Sequence, residues 1–140
     1  MLIPIYRKEI VALPEHLDEM HHVNNVWYVR WMQDIAIEHS AVNGWETERY
    51  IEHGAAWFVR RHTINYLHPI QEGDVIVAET WVREMKNVTS LRQYRFLRKS
   101  DGLVFATAET KWGLVSLKTG RPTKVSPEML ACFLQCEEKI

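Results

Sequence analysis

The run from Asn24 to Gly44, "NNVWYVRWMQDIAIEHSAVNG", limits the folds open to this chain more than any other stretch. No proline or glycine interrupts it before Gly44. Asn24 or Asn25 suits a helix N-cap, and Gly44 stands where a helix should end. The spacing predicts about 18 helical residues, roughly 27 Å at 1.5 Å per residue. On a helical wheel Tyr28, Trp31, Met32, Ile35 and Val42 share one face, and Arg30, Gln33, Asp34 and Glu38 gather on the other. Trp27 and Ile37 fall on the polar side. A helix apolar over so much of its circumference has to be largely buried, so the rest of the chain must cover it.

That cover reads as strands. Residues 3–13 are β-branched and apolar and end at Pro14, and the loop 15–23 is polar. "ETERYIEHG" (46–54) predicts a short second helix closed by glycine. The segments 55–67, 74–83, 89–98 and 103–116 have strand composition, separated by "HPIQEGD", "EMKN" and "KSDG" with turn chemistry. In the last of them Val104, Ala106, Ala108, Thr110, Trp112 and Leu114 alternate against Thr107, Glu109 and Lys111. "SPEMLACFLQC" predicts a closing helix with Ser126 as cap and Pro127 first. Consecutive strands with short links are most simply antiparallel, which gives an α+β fold in a single domain, residues 1–140.

Composition narrows function. The net charge of −1 argues against nucleic acid as main partner. Six tryptophans point to a large aromatic core or to apolar surface covered by a second subunit. Cys132 and Cys136, four apart, lack Cys-x-x-Cys spacing and read as buried or half-buried free thiols of a reducing compartment. The N-terminal segment lacks the pattern of a signal peptide, and no run reaches the ~18 apolar residues of a membrane helix. A cytoplasmic protein is expected.

The chemistry concentrates in "DEMHHVNNVWY" (18–28). It resembles the Asp-x-x-Gly-His-Val-Asn-Asn-x-x-Tyr signature of hotdog-fold thioesterases, the 4-hydroxybenzoyl-CoA thioesterase-like family. "YLHPIQEGD" (66–74) is similar to that family's Tyr-x-x-Pro-x-x-x-Gly-Asp element, and "TGRPTKVSPEM" (119–129) resembles its last turn. The resemblance implies an antiparallel sheet wrapped around one long central helix. It further implies homodimers or homotetramers with active sites between subunits, and hydrolysis of acyl-CoA or acyl carrier protein thioesters with no metal and no cofactor.

Thioester hydrolysis needs an activated water or a nucleophile, and donors for the oxyanion. The resemblance places the carboxylate at Asp18, as nucleophile or as general base. It places the oxyanion donor at the backbone amide of Asn25, where a helix start leaves N–H groups unpaired. Asn24 is the matching cap. His22 matches the family histidine, set either to orient Asp18 or to bond the thioester; an ordinary loop histidine is the alternative. His21 departs from the pattern, which has glycine there, so the loop is expected to run differently; Met20 departs from the carrier-protein branch. A metal at His16, Asp18, His21 and His22 lacks ligand spacing. Asp34 and Glu38 read as surface charges near Arg30, and His39 as a hydrogen-bonded core residue. Trp27, Tyr28 and Trp57 are candidate walls of an acyl pocket. Arg60 and Arg61, or the cluster 92–99, are candidate partners for CoA phosphates. Two other readings stand beside hydrolysis: a non-catalytic acyl-CoA-binding hotdog protein and a structural dimeric partner.

Overall fold

The computed structural model describes residues 1–133; Cys136, paired above with Cys132, lies outside them. The elements are β1 (Ile5–Val11), α1 (Asn25–Val42), α2 (Thr47–His53), β2 (Ala55–Tyr66), β3 (Val75–Lys86), β4 (Thr89–Arg98), β5 (Val104–Ser116) and α3 (Pro127–Cys132). The strands form one antiparallel five-stranded sheet in the order β1-β3-β4-β5-β2. α1 has the expected 18 residues, with Asn24 as its N-cap.

α1 lies on one face of the sheet. Tyr28, Trp31, Met32 and Ile35 pack with Ile76, Ala78, Tyr94, Phe96, Ala106 and Ala108 into the main core. Val42 departs from the wheel and is exposed. Towards its C-terminal end the helix is covered by the start of the chain, which docks on His39 and Asn43 and leaves Val42 outside. Asn43 Nδ2 donates to the Ile3 carbonyl at 3.0 Å, and the Ile3 amide donates back to Asn43 Oδ1 at 2.8 Å. A second cluster of Trp45, Val82, Met85, Leu114, Val125, Met129 and Phe133 fills the opposite end.

Sequence adjacency misleads at one link. β2 and β3 do not pair; β2 pairs with β5. α2 delivers β2 beside the end of β5, with Ala55 opposite Ser116, so the β2–β3 link has to travel back along the sheet end. "HPIQEGD" is therefore a docked crossing. Leu67 and His68 both donate to the Phe105 carbonyl, and Gly73 donates to Ala12.

His39 is only 1% exposed. Its Nε2 donates to the Ile3 carbonyl at 2.6 Å, and its Nδ1 accepts from Arg92 Nη1 at 2.9 Å. Burial, then the Arg92 charge, pushes its pKa down to about 4. An unfolded His39 titrates near 6.5. Above that value both states are neutral and the full stability is present. As pH falls from about 6.5 to about 4 the unfolded chain takes up a proton that the folded chain refuses, removing about 3 kcal/mol in total. Urea unfolding at pH 7.5 and pH 4.5 should show this loss. It should be largely absent in His39→Gln, whose amide can both donate and accept; an equal loss in that variant would refute the assignment.

Candidate functional site

The loop between β1 and α1 is a small hairpin. The Asn24 amide donates to the His16 carbonyl at 2.8 Å, Leu17 bridges Val23, and the Asp18 amide donates to the His22 carbonyl at 2.8 Å. The His21 amide closes the turn onto the Asp18 carbonyl at 3.0 Å. The crossing link clamps this hairpin from outside: Val23 donates to the Ile70 carbonyl at 2.9 Å, and His22 bridges Gln71. The Tyr-x-x-Pro-x-x-x-Gly-Asp element thus supports the Asp18 loop directly.

Asp18 is half-buried. Its Oδ1 accepts from the Met20 amide at 2.8 Å and the His22 amide at 3.3 Å; its other oxygen has no partner among the described residues. The bond from His22 comes from backbone. The His22 ring does not orient Asp18 and makes no hydrogen bond among the described residues. One end of the hairpin therefore holds a carboxylate and the other runs into α1. There Asn24 Oδ1 accepts from the Val26 amide at 3.1 Å, and the Asn24 carbonyl accepts from Trp27. The Asn25 amide has no hydrogen-bond partner among the described residues. An unpaired N–H at the positive end of a helix is a donor ready for an oxyanion.

The remaining candidates separate. Trp27 packs against His16, ring centroids 4.5 Å apart, at the edge of the core. Tyr28 is a core residue, edge-on to Tyr66 and Phe96 at 5.0 and 5.5 Å, and burial raises its phenol pKa. Trp57 faces a different cavity, described below, beside Tyr50 and the middle of α1. Arg60 sits at a break in the β2 register, and its side chain lies over Gly113, where an added Cβ would come within 2.6 Å of Arg60 Cδ. Arg61 lies 4.0 Å from Glu109. Tyr66 is the end of β2 that reaches Tyr28. Arg60 and Arg61 are therefore roughly 16–20 Å back along the strand at about 3.3 Å per residue, and do not join the loop. Nor does the 92–99 cluster form one cationic mouth. Arg95 pairs with Glu79, Arg98 with Asp101, Lys99 with Glu9, and Arg92 is buried. Arg30 does pair with Asp34 at 3.3 Å, whereas Glu38 turns to Tyr6 and Lys8.

Among the described residues, no three or more His, Cys, Asp or Glu side chains are grouped to hold a metal ion. No described helix is long and apolar enough to cross a membrane.

A sequence model of the thioesterase-like superfamily matches residues 12–133. The chain belongs to that superfamily. The reaction class that goes with membership is thioester hydrolysis. The long-chain acyl-CoA thioesterase FadM of Escherichia coli (strain K12) is 24% identical over 117 residues, covering 81% of this chain and 86% of FadM. A provisionally assigned oleoyl thioesterase from Lactobacillus plantarum superposes with a TM-score of 0.87 at 17% identity. The match covers 97% of this chain but 54% of that one, so this chain spans about half its length. Slr0204, a 1,4-dihydroxy-2-naphthoyl-CoA thioesterase from Synechocystis, gives a TM-score of 0.82 at 12% identity, covering 91% and 94%. These likenesses establish the hotdog fold.

Against the family pattern of these thioesterase-like proteins, His21 is the informative departure. It has φ 62°, the left-handed conformation that glycine adopts without cost. The loop thus keeps the path that glycine would take, and histidine bears the strain. His21→Gly should stabilise the fold by about 1 kcal/mol, a rise in melting temperature of roughly 3 °C. A melting temperature that is unchanged or lower would show that His21 makes contacts outweighing its backbone strain.

One buried group escaped the sequence reading. In β4, Arg92 shares a face with the core residues Tyr94 and Phe96, a period of two that predicts burial. Its neighbours Arg95, Arg98 and Lys99 instead place it in a cluster read as candidate partners for CoA phosphates.

Proposed function

We propose that this chain is an acyl thioester hydrolase of a single domain, acting on coenzyme A or carrier-protein thioesters. The observation that carries this reading is the hairpin that joins a half-buried carboxylate, Asp18, to the unpaired Asn25 amide at the start of α1. Asp18 supplies the oxygen chemistry: either its free oxygen attacks the carbonyl carbon, or it takes a proton from an attacking water. The carbonyl oxygen, as it gains charge, accepts from the Asn25 amide. Collapse of that intermediate expels the thiolate: on the water route it leaves the free acid, and on the direct route it leaves a mixed anhydride on Asp18, which a water then hydrolyses to the free acid and the restored carboxylate. The FadM likeness favours a fatty acyl group on coenzyme A, and the Synechocystis likeness an aryl one.

The active unit is a homo-oligomer in this proposal. β2 is an outer strand, and Phe58, Val59 and Tyr66 on it are exposed, as is the adjoining Leu67. A long, apolar free edge is suited to pairing with a second copy.

Release of free thiol tests the reading on a panel of saturated acyl-CoAs, 1,4-dihydroxy-2-naphthoyl-CoA and acyl carrier protein thioesters. Turnover on at least one class is expected. Tight binding of acyl-CoA without turnover would instead favour the acyl-CoA-binding protein. The absence of both would favour the structural partner.

A further inference from the structure

A cavity of about 460 Å³ lies on the other half of the molecule, between the middle of α1, α2 and the starts of β2 and β4. Its size falls within the range of about 300–1,000 Å³ usual for small-molecule sites. Ala36, Ile37, Trp45 and Trp57 make most of its wall apolar, and Arg92 reaches it from β4.

Arg92 is 5% exposed, and no carboxylate pairs with it among the described residues. Nη1 is held from behind by His39 Nδ1 at 2.9 Å and Thr80 Oγ1 at 3.1 Å. Both partners are neutral, since His39 has already committed its N–H to Ile3. Nε and Nη2 make no hydrogen bond among the described residues. The contrast within one strand is sharp: Arg95 and Arg98, both more exposed, each have a carboxylate partner. A guanidinium stays charged when buried, and a buried charge without a counter-charge is costly. Among the described residues, the one buried cation of β4 therefore lacks a counter-ion and borders an apolar cavity.

We propose that this cavity binds a small organic carboxylate, its charged end paired with Arg92 and its apolar body lying against Trp45 and Trp57. One guanidinium in an otherwise apolar wall matches one negative charge on an apolar molecule, and a planar fork suits the two oxygens of a carboxylate. That group can come from a free acid or from the far end of an acyl chain still esterified at its other end. The site stands on the cavity and Arg92 alone, so it does not depend on hydrolysis at Asp18.

Calorimetric titration of the full chain with octanoate, 1-octanol and octylamine tests it, with tryptophan fluorescence as a second readout. Octanoate should bind at least tenfold more tightly than octanol, and octylamine should not bind. Equal affinity for octanoate and octanol, or no binding of octanoate, would overturn the proposal. Arg92→Gln should erase the preference for octanoate; a preference that survives in the folded variant would also overturn it. Should that variant not fold, Ala36→Met keeps the guanidinium and fills the cavity from α1. It should weaken octanoate at least fivefold, and unchanged binding would count against the site. Suberoyl-CoA and octanoyl-CoA distinguish the two sources. A several-fold lower Kd for suberoyl-CoA that disappears in Arg92→Gln assigns the carboxylate to the acyl chain, and equal Kd values assign it to a free acid.

Discussion

Asp18→Asn is expected to lower kcat for thioester hydrolysis by roughly 10²–10⁴-fold, the usual scale for removing a positioned general base. The substitution isolates chemistry from folding. Oδ1 of Asp18 accepts from the Met20 and His22 amides, and the asparagine carbonyl can accept the same two bonds. The turn should therefore keep its shape, and the melting temperature should move little. Asp18→Ala, by contrast, removes the acceptor and should cost about 1 kcal/mol of stability as well. Measurement of thiol release beside thermal unfolding separates the two effects. If Asp18→Asn keeps more than about half of the wild-type kcat, with activity at the general-base scale absent from the difference, the carboxylate is not the reacting group.

The second large effect concerns a backbone group, which side-chain truncation cannot reach. Asn25→Pro deletes the amide assigned to the oxyanion and should lower kcat by roughly 10²–10³-fold. Proline is well tolerated there for two reasons. Asn25 is the first residue of α1, a position where proline is favoured because its missing N–H has no helical partner. Asn24, just before it, already has φ −67° and ψ 143°, the extended geometry that a residue preceding proline requires. Asn25→Ala is the control: it keeps the amide, so its kcat should stay within about threefold of wild type if only the N–H matters. Loss of activity in Asn25→Ala equal to that in Asn25→Pro would move the role from backbone to side chain.

The two variants also probe how the hairpin works as a unit. The Asn24 amide is tied to His16 and the Asp18 amide to His22, while Ile70 and Gln71 brace the outer side. Carboxylate and amide are thus held by one short ladder, so neither can shift without breaking bonds in it. Such preorganisation lets a donor act without reorganising during reaction.

Much of this protein was legible from residue order alone, wherever the determining forces are local. α1 begins at the asparagine cap and runs to Val42 because nothing between them breaks a helix and its apolar residues recur at helical spacing. The strands follow from β-branched and aromatic runs bounded by turn residues. The Asp18 loop was legible for the same reason: its turn, its cap and its carboxylate lie within a few residues of one another. Pairing partners were not legible. β2 joins β5 rather than β3, and Arg60 folds over Gly113. Each depends on which distant segment arrives alongside. That choice minimises exposed apolar area over the whole molecule, a quantity that no window of sequence contains.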